Sequence, residues 1–123
     1  MLSRIVLIYA MAEDKRDAAA ETLNALGLPV LFVGSEKYAL SLKAVLEMSP
    51  ETAAGDGIDE TFAVLHGFSR DGLDPALEAL RSLGIGLKAV STPTNLSWSG
   101  EKLYKNLKAE REAIKRAKNR KKR

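Results

Sequence analysis

The sequence predicts an α/β fold: duplicated β-α-β-α units forming a four-stranded sheet, parallel and doubly wound. Three observations lead there. Shifted by 57 residues, residues 5–33 align with 62–90 without a gap, with identities that include Asp14/Asp71, Asp17/Asp74, Leu23/Leu80, Gly27/Gly84 and Val33/Val90. Each half opens on a short apolar run followed by an amphipathic stretch, the order of a strand and a helix. The hydrophobic fraction, 46% of 123 residues, suffices for the core of one domain. The alternative is a ferredoxin-like α/β arrangement with two added helices over the open face, in which the halves run antiparallel. Both arrangements put the first strand of each half in the centre.

The elements follow in order. Ile5 to Tyr9 and Phe62 to Leu65 are nearly continuous apolar runs, as in strands covered on both faces. Ala19, Leu23 and Leu26 in one half, and Leu73, Leu77, Leu80 and Leu83 in the other, form helical stripes. Gly27 and Gly84 stand where a helix ends in a left-handed residue. The first helix of the second half starts either at Arg70 with Ser69 as cap, or about a turn later with Asp74 capping before Pro75. Val30–Val33 and Leu87–Val90 are second strands, and Pro29 and Lys88 mark them as sheet edges.

With the shift increased to 58, residues 40–45 align with 98–103. Ser41 and Ser99 then become helix N-caps. Leu40 on Val45, and Trp98 on Leu103, have the spacing of a hydrophobic staple. Pro93 ends the preceding strand, and Asn95 suits an Asx-turn, so residues 86–103 work chiefly as a strand-to-helix connector. The domain spans residues 1–114, with halves 1–48 and 62–114. The polar linker 49–61 carries Gly55 and Gly57 and is expected to be mobile. The last helix is expected to pack as far as Ile114.

Charge is unevenly placed. Residues 115–123 carry seven Lys or Arg and no acid; removing them from the net +3 leaves −4 for the rest. This is a mildly acidic domain with a basic tail. The absence of cysteine excludes disulfides, thiolate nucleophiles and cysteine-ligated metal centres. No stretch approaches the ~20 apolar residues of a membrane span, and the N-terminal run reads as a strand rather than a leader. A cytoplasmic location without membrane attachment is the expectation.

Residues 62–110, with FAVLHGFS (62–69), LRSLGIG (80–86) and LKAVSTPTNLSW (87–98), resemble a small, largely bacterial family of unknown function. Its signature joins a Gly-aromatic-Ser helix start to a strand, Thr-Pro-Thr-Asn and Trp. Gly100 and Lys102 depart from the helix formers expected after the tryptophan. The resemblance implies a fold and a bacterial cytosolic setting, and it brings no catalytic residues.

Candidate sites are few. His66, the only histidine, ends the third strand, where a base or anion contact would sit. Ser69, Thr92, Thr94 and Asn95 would share its rim and offer hydroxyls or amides to an anion. His66, Ser69 and Asp71 lie too close in sequence to form a triad, and no serine sits in a nucleophile elbow. No P-loop or dinucleotide fingerprint occurs, and no spacing of carboxylates forces a metal site. No cofactor and no metal are expected. In the tail, Lys115, Arg116, Lys118, Arg120, Lys121, Lys122 and Arg123 would contact nucleic acid weakly and without sequence preference. The reading favoured is a non-enzymatic binding or interaction module that takes a protein partner or a second copy of itself as a homodimer. The alternatives are an accessory nucleic-acid- or ribosome-associated protein using the tail, and a small-molecule or anion-binding sensor or enzyme at the rim.

Overall fold

The computed structural model describes residues 4–55 and 57–121, leaving aside the side chains of residues 70 and 119–121. The elements run β1 (Ile5–Tyr9), α1 (Glu13–Asn24), β2 (Val30–Val33), α2 (Leu42–Leu46), β3 (Phe62–His66), α3 (Arg70–Ser82), β4 (Leu87–Val90) and α4 (Gly100–Lys121). One four-stranded sheet has the order β2-β1-β3-β4. Pro29 thus directly precedes one edge strand and Lys88 lies in the other, while the two apolar runs fill the centre.

β1 pairs with β2, and β3 with β4, in parallel. β1 and β3 are antiparallel, so the sheet is mixed and the wholly parallel expectation is corrected at that junction. The register shows why. Leu7 faces Val64, Tyr9 faces Phe62 and Ile5 faces His66. Under the shift of 57, Leu7 corresponds to Val64, and the other two pairs exchange with each other. An approximate two-fold axis therefore passes between Leu7 and Val64, and strands related by such an axis must run antiparallel. The isolated antiparallel bridge between Ser41 and Ser99 joins the corresponding cap positions. The halves run antiparallel as in the alternative arrangement, with parallel strand pairs inside each half.

Strand alternation divides the core into two layers. Ile5, Leu7, Tyr9, Phe62 and Val64 face α2 and α4, together with Leu42, Val45, Leu103 and Tyr104. Val6, Ile8, Ala63 and Leu65 face α1 and α3, with Ala19, Leu23, Ala76 and Leu80. Each aliphatic side chain so enclosed contributes ~1.5–3 kcal/mol. Within the first layer Tyr9 stacks on Phe62 with centroids 4.6 Å apart, and Phe62 meets Tyr104 at 5.7 Å.

The punctuation corresponds between halves. Gly27 and Gly84 have φ of 74° and 80°. Leu28 N–H donates to Leu23 O, and Ile85 N–H to Leu80 O. Ser41 Oγ accepts from Ala44 N at 3.1 Å, and Ser99 Oγ from Lys102 N at 3.1 Å. Leu40, Val45, Trp98 and Leu103 lie in one layer, as the two staples require. α3 starts at Arg70 after Ser69, although Ser69 makes no side-chain cap bond and Pro75 lies inside the helix.

Three expectations need correction. Leu26 is exposed, because α1 ends before it, and Leu28 is buried in its place. Ile114 is 57% exposed: α4 spans 22 residues, ~33 Å of helix, over strands of at most 5 residues, ~17 Å, so it outruns the sheet. The linker is tied down. Ala53 N–H donates to Glu36 O and Ala39 N–H to Ala53 O, at 2.9 and 2.8 Å; Gly55 N–H reaches Ser35 O at 3.0 Å. Ile58 is buried. Arg111 forks onto Glu60 with two bonds of 2.9 Å, and Tyr104 OH donates to Asp59.

Candidate functional site

β3 and β4 are parallel, so their C-terminal ends share one rim, and this is where the site forms. His66 ends β3. Ser91, just past β4, donates its N–H to Leu65 O at 2.9 Å, which brings the serine hydroxyl to 2.7 Å from His66 Nδ1. The imidazole is half-buried.

The loop after Ser91 is locked by its own polar groups. Thr92 N–H donates to Asn95 Oδ1 at 2.8 Å, and Asn95 N–H returns a bond to Thr92 Oγ1 at 3.0 Å. Asn95 Nδ2 donates to Val90 O at 3.1 Å, and the residue is buried. The Asx-type bond therefore runs backward to Thr92 rather than forward. Asn95 and Thr92 build the loop with the very atoms a ligand would need. Thr94 is exposed, and its carbonyl accepts from Ser97 Oγ at 3.0 Å. Ser69 is exposed at the start of α3.

α2 closes the site from the other half. Leu42 N–H donates to Trp98 O at 2.9 Å, pinning the start of α2 to the end of the loop. Between them lies an open cleft of about 500 Å³. α2 and the residue after it supply Lys43, Leu46 and Glu47; the loop supplies Pro93, Leu96 and Ser97; His66 forms the floor at the sheet end. Of the five rim residues picked from sequence, only His66 lines it. The α2 and Leu96 walls were missed because they reach the rim only through the contact between halves. Their signal in the sequence was the shift of 58, which sets Lys43, Leu46 and Glu47 against Glu101, Tyr104 and Lys105.

Trp98 does not line this cleft. Its ring packs half-buried on the layer beneath α4, with Lys102 Nζ 4.7 Å from the centroid. Strong electrostatic perturbation lies elsewhere, at the linker's anchor on α4. Burial, aided by the bond to Asp59, pushes the Tyr104 hydroxyl up to about 12. The same bond, with Lys108 Nζ 3.7 Å away, holds Asp59 below the usual carboxylate range. Hydrogen bonding from Arg111 does so for Glu60.

Lys115, Arg116 and Lys118 are exposed on the part of α4 beyond its packed segment. The side chains of Arg120 and Lys121, and residues Lys122 and Arg123, lie outside the described residues. Among the described residues no three His, Asp or Glu side chains converge as a metal ion would require, and no helix is long and apolar enough to cross a membrane.

Residues 61–114 match the model of a family described as "Domain of unknown function (DUF3783)". The match begins just before β3 and ends inside α4, so it takes in the β3–β4 rim and its loop. Comparisons with curated proteins and with solved structures found no match.

Proposed function

We propose that this chain is a small cytosolic bacterial binding module, without catalysis, arising by internal duplication and receiving its partner in the cleft between α2 and the loop after β4. The observation that carries this reading is the make-up of the cleft: Leu46, Pro93 and Leu96 give it apolar walls, while the loop's best hydrogen-bonding groups are spent on holding its shape. Concave, apolar and preformed surfaces with a few polar groups suit recognition. The test is a ¹⁵N-NMR screen of small fragments, repeated on Leu96→Asp. Binders are expected to move the amides of Lys43–Glu47, His66 and Leu96–Ser97, and to lose that effect in a variant that stays folded. Binders that consistently map to another face would overturn the proposal.

One observation favours a second reading, a small-molecule site or enzyme: the 2.7 Å contact between His66 Nδ1 and Ser91 Oγ joins a hydroxyl to a base. Labelling of Ser91 by a fluorophosphonate, abolished in His66→Ala, would establish it. Lack of labelling in the folded protein would remove it.

A further inference from the structure

We infer that the cleft binds an extended peptide segment of a protein partner, laid as the linker lies in the corresponding groove of the other half. This deepens the binding-module reading and rests on it.

The two-fold relation gives the cleft a twin. Under the shift of 58, Lys43, Leu46 and Glu47 of α2 correspond to Glu101, Tyr104 and Lys105 of α4, while Pro93 and Ser97 correspond to Ser35 and Ala39. The correspondence is structural as well. The caps Ser41 and Ser99 agree, and so do the turns closed by Leu40 N–H to Lys37 O and Trp98 N–H to Asn95 O.

The twin groove is occupied by the molecule's own chain. Ala53 O accepts from Ala39 N–H and Ser35 O from Gly55 N–H. Gly55 passes so close to Glu101 that a Cβ there would run into the carboxylate, with Oε2 at 3.1 Å, and Gly57 has Lys105 Cε at 4.0 Å from its Cβ position. Asp59 takes the Tyr104 hydroxyl. These linker residues thus lie between helix and loop, held to the loop by main-chain bonds and in contact with side chains of the helix. Among the described residues no second such segment lies on the α2 side, where the cleft of about 500 Å³ stands open.

Substituting the walls states what the occupant carries. Where the Glu101 carboxylate lies against Gly55, Lys43 offers an ammonium, so an acidic side chain belongs there. Where Tyr104 binds a carboxylate, Leu46 offers an apolar surface, so a leucine-like side chain belongs there. Main-chain bonding supplies affinity, and these two positions supply specificity.

The probe follows directly: a synthetic peptide of residues 50–60 with Gly55→Glu and Asp59→Leu, titrated into the intact chain and followed by ¹⁵N-NMR. It is expected to shift Lys43–Glu47 and Leu96–Ser97, and to bind at least about tenfold more tightly than the unsubstituted 50–60 peptide. Lys43→Glu is expected to weaken it by about tenfold or more, and a peptide with lysine in place of the glutamate to recover that loss, an exchange that mere damage to the fold would not produce. If fragments enter the cleft but neither peptide does, the peptide inference fails while the binding-module reading stands. If nothing enters the cleft, both fail. Sedimentation showing self-association abolished by Leu96→Asp would make the occupant a second copy of the chain and overturn the inference.

Discussion

Replacing Gly100 by alanine should destabilise the protein, although alanine is the better helix former. A Cβ on Gly100 would overlap the edge of the Tyr9 ring, with Cζ at 3.0 Å and Cδ2 at 3.1 Å, well inside ordinary contact. The ring has nowhere to go. It is fully buried, stacked on Phe62, with Tyr38 at 6.1 Å. Overpacking of this kind costs ~1–3 kcal/mol. Alanine's helix preference offsets at most about 1 kcal/mol, and less in a first turn. The net expectation is a loss of about 1–2 kcal/mol, lowering Tm by roughly 4–8 °C for a chain of this size. The assay is urea and thermal unfolding of Gly100→Ala, Tyr9→Leu and the double variant. Once the ring is gone, the alanine should be neutral or mildly stabilising, giving a coupling of ~1–3 kcal/mol between the sites. Unchanged stability of Gly100→Ala, or an equal loss in the Tyr9→Leu background, would refute the reasoning. The corresponding positions in the other half hold His66 and Leu42, a smaller ring set against a larger helix residue.

Four further expectations can be measured. Tyr9→Phe should stabilise by about 1 kcal/mol in urea titrations, because the Tyr9 hydroxyl is buried with no hydrogen-bond partner among the described residues, and burial raises its pKa well above the usual tyrosine value. Gly84→Ala should cost about 1 kcal/mol for its left-handed φ alone, whereas Gly86→Ala, equally free of neighbours but without that φ, should be close to neutral. Asp59 and Glu60 have depressed folded pKa values, so their stabilising effect is fully present above the unfolded carboxylate range and declines as pH falls through and below it; Asp59→Asn with Glu60→Gln should flatten the stability profile from about pH 5 downward. Lys115→Glu, Arg116→Glu and Lys118→Glu together should leave Tm nearly unchanged, while any binding to generic RNA at low salt should weaken sharply, as measured by fluorescence anisotropy.

Much of the frame was written in local sequence. Ile5–Tyr9 and Phe62–Leu65 announced central strands because only fully covered strands tolerate such runs, and Pro29 and Lys88 announced edges. Gly27, Gly84, Ser41 and Ser99 fixed where helices stop and start. The direction of β1 against β3 was not legible. A strand buried on both faces has no polar side to orient it, and the linker between the halves is long enough for either sense. Ile114 misled because helical periodicity records a stripe without recording how far the partner sheet extends. His66 was found from its strand-end position, whereas Lys43, Leu46 and Leu96 become a wall only once α2 is pinned to Trp98. Asn95 and Thr92 looked like ligand groups because the same polar atoms serve a turn equally well.

The length of α4 bears on how unfolding of this molecule is observed. The sole indole stands at the helix's base, among side chains that come apart only when the body does. Residues 112–118 of α4 are exposed beyond its packed segment, yet they add to ellipticity at 222 nm. Warming therefore unravels those exposed turns while Trp98 emission stays native, and the two optical curves separate without any folding intermediate behind the gap.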